Sequence, residues 1–164
     1  MVRDAETLGR QIMTSTQKAL SWGVEQRLEF IEFHLFWEGG VNRSDIINFF
    51  GVSVPQASND LSRYQEIAPR NIEYDRSEKR YLATKAFKPK FLDPDSDRYL
   101  SYLRLMAEKL IEPHETWISA VPETATLPLP HRNIEAEILK PVLEAVRHNR
   151  SLKVRYQSLS DARP

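Results

Sequence analysis

With 164 residues, of which 41% are hydrophobic, the chain can form one ordinary domain or two small ones around a packed core. Its 23 basic and 23 acidic residues balance, so bulk charge alone does not indicate nucleic-acid binding. The lack of cysteine excludes disulfides, thiolate metal sites and cysteine nucleophiles. No apolar run reaches the roughly 18 residues of a membrane span, and we expect a cytoplasmic protein without a cofactor.

Residues 4–20 are compatible with a weakly amphipathic helical arm. The first strong helix signal runs from Val24 to Trp37, where apolar residues form two adjacent stripes. So wide an apolar surface requires burial on more than one side, and it is a candidate dimer interface. The pair Gly39-Gly40 is expected to end this helix.

Two further helices are predicted after a very short interval. Asn42 and Asp45 have the spacing of a capping box at the start of a short second helix, which Gly51 ends. Ser53 is the N-cap candidate of the third helix, with Gln56 at the third helical position of a second capping box. The tight junction "FFGVSVP" is typical of a helix-turn-helix.

After Pro69 the period of the pattern changes from about four to two. The segments "NIEYD" and "RYLAT" alternate in polarity around the polar gap "RSEK", which predicts a short β-hairpin. Three helices followed by a hairpin is the order of a winged helix-turn-helix. The predicted fold class is therefore mainly α with a small β-hairpin.

A long helix follows within "DPDSDRYLSYLRLMAEKLIEP", capped by Asp95 or Ser96 and closed by Pro113. Residues 113–132 contain four prolines and predict an extended linker. Trp117 and Ile118 within it are expected to dock on a neighbour and are further candidates for the dimer interface.

The last helix is predicted over residues 135–148 with an apolar face of Ile138, Val142, Ala145 and Val146. The segment "SLKVRYQS" then alternates as a strand does, but the sequence contains no partner strand for it. We expect the chain to be part of a longer protein.

The third helix has two faces with different chemistry. One face is expected to pack on the first two helices; it consists of Val54, Ala57, Leu61 and Tyr64. The opposite face carries three side chains that can form paired hydrogen bonds with base edges in the major groove, namely Gln56, Asn59 and Arg63. Gln56 could equally act only as a cap. Asp60, at the edge of this face, is expected to pair with Arg63 or with a residue of the wing.

Other polar residues suit contacts with the phosphate backbone. Ser53, Ser58 and Ser62 flank the polar face of the third helix, and a helix N-terminus itself attracts phosphate. At the hairpin, Arg76, Lys79 and Arg80 are predicted to contact phosphates or the minor groove. The alternative for each group is a solvated surface.

Enzyme signatures are missing. The sequence contains no zinc-protease helix motif, no phosphate-binding loop and no glycine-rich dinucleotide turn. His114 and His131 lie in the proline-rich linker, where chance placement is the better interpretation. We predict no catalytic residue and no metal site.

The stretch "VSVPQASNDLSRYQEIAPRNIEYDRSEKRYLAT", the long helix and "EAEILKPVLEAVRHNRSLKVRYQS" together resemble the N-terminal half of WYL-domain transcriptional regulators. The resemblance is strongest to repressors of bacterial anti-phage defence islands of the BREX and CBASS kinds. It implies a homodimeric winged-helix repressor that binds an inverted repeat in double-stranded DNA. A WYL domain, absent here beyond its first strand, would take a small-molecule or nucleic-acid ligand.

Residue by residue, the resemblance assigns the recognition helix and the wing. Matching the recognition helix are Ser53, Gln56, Ala57, Ser58, Asn59 and Arg63, and matching the wing are Arg76, Lys79 and Arg80. The implied domains are a winged helix-turn-helix with an N-terminal arm over 1–90, a helix and linker over 91–133, and the start of a truncated WYL domain over 134–164. The alternative function is a winged-helix module for protein–protein interaction.

Overall fold

The computed structural model describes residues 20–123 and 134–155. The predicted arm, His131 and the end of the predicted C-terminal strand from Tyr156 lie outside the described residues. Within them the helices are α1 (Trp22–Phe33), α2 (Arg43–Phe50), α3 (Val54–Ile67), α4 (Ser96–Ala107) and α5 (Ala136–Arg147). The strands are β1 (Gly40–Val41), β2 (Ile72–Asp75) and β3 (Arg80–Ala83), with a π-helical segment at His34–Glu38 and a 3-10 turn at Pro113–Glu115.

The helix α1 is buried on two sides, as its wide apolar surface predicts. It continues into the π-helical segment, which ends at Gly39 with a left-handed φ of 78°. Leu28 and Ile31 belong to a core shared with α2 and α3, whereas Phe33 and Trp37 belong to a second core shared with α4 and α5. The expectation that this helix offers a dimer interface is therefore wrong, because the fold itself covers both stripes.

The helix-turn-helix begins and ends where the capping residues predict. Asn42 and Asp45 form the expected capping box of α2, with the backbone N–H of Asn42 donating to Asp45 Oδ2 at 2.6 Å. Gly51 ends α2 in the left-handed region at φ 64°. Ser53 then caps α3, so three residues separate the helices. Such a short connection fixes the angle at which α3 leaves α2.

The hairpin is confirmed, but the sheet has a third strand that the sequence did not indicate. The order is β1-β3-β2, antiparallel throughout, with Gly40 opposite Leu82 and Val41 opposite Tyr81. A Cβ on Gly40 would lie 2.7 Å from Arg80 Nε and from the Tyr81 carbonyl oxygen, so only glycine fits there. Gly40 thus joins the end of the first helix to the wing instead of serving as a helix stop.

The segment after α4 folds back on the protein. Ile118 is buried in the second core, and the Trp117 ring packs edge-on to Phe30 and Phe33 at 5.7 and 5.6 Å. Trp117 and Ile118 therefore dock on a neighbouring part of the same chain, and the prediction that they contribute to the dimer interface is wrong. Asp95 caps α4 as expected, but the helix ends at Ala107, well before Pro113.

The helix α5 buries a different stripe from the one predicted. Leu139, Leu143 and Ala145 are buried, whereas Ile138, Val142 and Val146 are exposed. Residues 151–155, the described part of the predicted WYL strand, form no strand. No helix among the described residues is long and apolar enough to cross a membrane.

Candidate nucleic-acid interface

Two buried carboxylates hold α3 against the rest of the fold. Asp60, 2% exposed, forms an ion pair with Arg27 of α1, with Nε and Oδ2 2.6 Å apart. The expected pairing of Asp60 with Arg63 or a wing residue is therefore wrong. Because Asp60 points into the fold, it does not place a negative charge on the outer face of α3.

The second anchor lies one turn further along α3. The hydroxyl of Tyr64 donates to Glu32 Oε1 of α1 at 2.8 Å, and Asn71 Nδ2 donates to the same hydroxyl at 3.0 Å. Burial, followed by the proximity of Glu32, raises the pKa of Tyr64 above its ordinary value, so Tyr64 remains a donor. Glu32 also accepts backbone N–H groups from residues 90–92. One carboxylate therefore fixes both α3 and the chain that follows the wing.

In the N-terminal turn of α3, the Gln56 side chain acts neither as a cap nor as a free group on the outer face. Its backbone N–H donates to Ser53 Oγ at 3.3 Å, which makes Ser53 the cap. Its side chain does not close the capping box; Nε2 donates instead to Asp60 Oδ1 at 3.0 Å. Gln56 therefore helps to orient the Asp60 carboxylate, and its amide is engaged within the protein.

Two residues of α3 lie on faces that the sequence or the resemblance assigned differently. Ala57 is fully buried in the core, as the helical periodicity predicts, so its place in the set that would contact DNA is wrong. Val54 was expected in the core but is 53% exposed. The sequence signal for this exposure was the position of Val54 as the first residue of α3, because the first turn of the helix lies ahead of the part that packs on α1. An exposed Val54 offers an apolar contact of the kind that thymine methyl groups make.

Asn59 and Arg63 are the exposed, unengaged pair of α3. They are four residues apart and therefore neighbours on one face. Neither forms a hydrogen bond or ion pair with the described residues. Ser53 is exposed at the start of the helix, and Ser58 is half-buried with its hydroxyl donating to the Val54 carbonyl at 2.9 Å. The amide and guanidinium are thus available for paired hydrogen bonds on a helix held by two buried anchors.

The wing tip is a four-residue turn that exposes two cations. Asp75 Oδ1 accepts the backbone N–H groups of Ser77 and Glu78 at 2.7 and 2.9 Å, and Lys79 adopts a positive φ of 53°. Arg76 and Lys79 are exposed there, as predicted. Such a compact turn presents charge without long flexible segments.

Arg80 differs from the other two predicted wing residues. It is half-buried beside Gly40 at the start of β3, and its Nε is enclosed without a hydrogen-bond partner among the described residues. The structure therefore brings Arg80 to the inner side of the sheet and leaves Arg76 and Lys79 at the tip.

The local charge favours an anionic partner. Residues 53–90 contain eight cations and five carboxylates, and one of these carboxylates, Asp60, is neutralised by Arg27. No group of three or more potential metal ligands occurs among the described residues. The surface of α3 and the wing tip is thus mildly positive and rich in hydrogen-bond donors.

Residues 23–105 match the BrxR transcriptional regulator winged helix-turn-helix domain. The chain belongs to the BrxR family. The chain is also similar, over more than that domain, to the DNA-binding transcriptional repressor CapW of Stenotrophomonas maltophilia. The two are 40% identical over 151 residues, which cover 92% of this chain and 50% of the relative. CapW of Pseudomonas aeruginosa is 36% identical over 161 residues, 98% of this chain and 54% of the relative.

Membership of the BrxR family confirms the winged helix-turn-helix fold and the resemblance to winged-helix transcriptional regulators. CapW of Escherichia coli strain KTE188 is likewise 40% identical, over 85% of this chain and 47% of its own length. The chain spans about half the length of the curated relatives it matches. The family is one of regulators, in agreement with the prediction that the chain is not an enzyme.

Proposed function

We propose that the chain is the DNA-binding part of a cytoplasmic transcriptional repressor that reads double-stranded DNA with α3. The observation that carries this proposal is the pair Asn59 and Arg63, exposed and without a hydrogen-bond or ion-pair partner among the described residues, on a helix that Asp60 and Tyr64 anchor to α1. Asparagine suits adenine and arginine suits guanine in the major groove. The relatives named as DNA-binding repressors support the same function.

Within this proposal the residues have distinct roles. Asn59 and Arg63 contact base edges, with Val54 as an apolar neighbour. Ser53 and the wing cations Arg76 and Lys79 contact phosphates, which position the protein without specifying sequence. Gln56 orients Asp60 and through it the helix.

A homodimer on an inverted repeat is the expected assembly, because one winged helix reads only a few base pairs and two-fold symmetry doubles the site. The proposed organisation is a DNA-binding domain over 1–90, a helix and linker over 91–133, and the start of a WYL domain from 134. The WYL domain of the whole protein would take a small-molecule or nucleic-acid ligand, and the regulated genes would be a phage-defence operon.

The test is quantitative DNA binding to the inverted repeats upstream of the native operon. Asn59→Ala and Arg63→Ala should each weaken binding by about 1–3 kcal/mol and relax selectivity at one base pair. Arg104→Ala is the matched control, since it removes an exposed arginine of α4. If Asn59→Ala and Arg63→Ala bind as tightly and selectively as the wild type, α3 does not read the bases.

A second candidate is a winged helix that binds a protein. The exposed Phe49 and Val54, 39% and 53% accessible, favour it because both apolar side chains lie next to the junction of α2 and α3. Salt separates the two functions: affinity for DNA falls steeply with salt concentration, whereas an apolar protein interface is much less sensitive. The double variant Arg76→Ala and Lys79→Ala should lower the logarithmic salt slope by about 2 only if the partner is DNA.

A further inference from the structure

A cleft of about 410 Å³ lies between the inner side of the wing and α5, away from the helix-turn-helix. Its floor includes Phe36 and Trp37, and its rim includes basic residues from the two elements, namely Arg80, Lys85, Lys140, Arg147 and His148. A volume of several hundred Å³ with an apolar floor and a few polar groups is typical of small-molecule sites. The cleft is thus large enough for a ligand with a body as well as a charged group.

The cations of the cleft lack anionic partners. Arg80 and Lys85 form no hydrogen bond or ion pair with the described residues, and the Lys140 ammonium lies over the rings of Phe36 and Phe87, at 4.6 and 5.4 Å from their centroids. Three carboxylates, of Glu38, Glu78 and Glu144, also line the cleft. Glu38 is engaged with His34 and Ser119, and none of the three lies within ion-pair distance of these cations among the described residues. With four arginine and lysine side chains against three carboxylates, the cleft has a small net positive charge, and Arg80, Lys85 and Lys140 have no paired anion in the described part of the chain.

Two arginine N–H groups beside the cleft are enclosed by the protein. Both Arg80 Nε and Arg147 Nε are buried without a hydrogen-bond partner among the described residues. The other guanidinium nitrogens of Arg147 are satisfied, since they donate to the carbonyl oxygens of Trp37 and Ala120 and to the Tyr99 hydroxyl. Because both Nε atoms are enclosed, a ligand in the cleft does not reach them, and the cations that it can meet are the exposed Lys85 and the half-buried Arg80 and Lys140.

We propose that this cleft binds the phosphate group of a small phosphorylated molecule about the size of a mononucleotide. Phosphate supplies several acceptor oxygens and a charge that lysine and arginine both recognise. Inorganic phosphate alone would leave most of the volume and the floor of Phe36 and Trp37 uncovered. The proposal does not depend on DNA binding by α3, because none of the α3 residues lines the cleft.

Isothermal titration of the full chain with adenosine monophosphate tests the proposal, with adenosine and sodium sulfate as comparison titrants. Adenosine monophosphate should bind saturably, adenosine should not, and Lys85→Gln or Lys140→Gln should weaken binding about tenfold, the loss expected for one charged hydrogen-bond partner. Lys85 is exposed, so Lys85→Gln leaves the fold intact. Lys153→Gln, which removes an exposed lysine outside the cleft, should change the affinity less than about twofold.

Three results would overturn the proposal. Equal binding of adenosine would show that phosphate is not recognised, and equal weakening in Lys153→Gln would show unspecific charge attraction. If adenosine monophosphate does not bind but Lys85→Gln and Lys140→Gln weaken DNA binding uniformly across sequences, the phosphate belongs to the DNA backbone. The DNA affinity of Asn59→Ala is measured separately, so failure of the cleft and failure of α3 recognition are distinguishable.

Discussion

At the scale of single residues, internal partners decide which polar side chains of α3 are available. Gln56, Asn59 and Arg63 look equivalent on a helical projection, and only Gln56 is engaged, because it is one turn from a carboxylate that Arg27 draws into the fold. The orientation of the Asp60 carboxylate depends on Arg27, which lies 33 positions from Asp60 in the sequence, so no local pattern could reveal it. The set that we propose to contact base edges therefore contracts to Asn59 and Arg63.

The ion pair of Asp60 and Arg27 should be a strong determinant of stability. Asp60→Ala leaves a largely buried guanidinium without its partner, and we expect the free energy of unfolding to fall by about 3 kcal/mol. Urea denaturation measures the loss. The exposed pair Arg104–Glu108, 3.8 Å apart, is the control: Glu108→Gln should change stability by less than about 0.5 kcal/mol. Comparable effects of the two variants would contradict this account.

Glu38 should make the free energy of unfolding fall steeply as the pH is lowered. Burial alone would raise its pKa, but hydrogen bonding and charge from His34, together with hydrogen bonds from Ser119 and Ala120, outweigh burial and lower the pKa to about 2. A carboxyl with a lowered folded-state pKa contributes stability above its unfolded value near 4.5, and the contribution is lost as pH falls from there towards 2. The stability difference between wild type and Glu38→Gln, measured in urea from pH 6 to 2, should therefore shrink. A constant difference would exclude this role.

At the scale of elements, residues that act locally were predictable and those that depend on tertiary partners were not. The starts of α2 and α3 follow from Asn42 and Ser53, whose caps involve residues only three positions away. The strand β1 has two residues, too few for an alternating pattern. In α5 both Leu143 and Val142 are apolar, and the partners in the second core select the face that is buried.

The strand β1 requires glycine at position 40, and this requirement can be tested. Gly40→Ala places a Cβ 2.7 Å from the Tyr81 carbonyl oxygen, a backbone atom that cannot move without displacing β3. We expect thermal unfolding to show a loss of about 1–3 kcal/mol. In Gly23→Ala the nearest atom is Arg27 Nη1 at 3.5 Å, so this control should be neutral or slightly stabilising. A neutral Gly40→Ala would mean that β1 is not tightly paired.

At the scale of the whole molecule, the two cores are continuous. Phe87 and Trp117 contact both, and α1 passes from one into the other through the π-helical segment. The winged helix and the helices after it therefore pack on the same aromatic side chains. A change at α5 can reach the wing through residues that pack on both cores, which is the physical condition for coupling between them.

Arg147 is the residue that tests this connection. Its guanidinium joins α5 to three separate segments by donating to the Trp37 carbonyl, to Tyr99 at 2.7 Å and to the Ala120 carbonyl at 3.5 Å. Arg147→Met keeps the volume of the stem but removes these bonds, so the amides of α5 should lose hydrogen-exchange protection. The amides of α3 should keep theirs, because α3 is anchored by Asp60 and Tyr64.

Arg150→Met, at an exposed position three residues further on, should leave the exchange rates of both helices unchanged. If Arg147→Met exposes α3 and α5 to the same extent, the two cores unfold as one cooperative unit and the anchors on α1 do not stabilise α3 independently. If α5 keeps its protection, apolar packing of Leu139 and Leu143 holds it without the arginine. Either result would contradict the role of Arg147 in joining α5 to the winged helix. That role requires that the loss of Arg147 weakens α5 and that it weakens α5 more than α3.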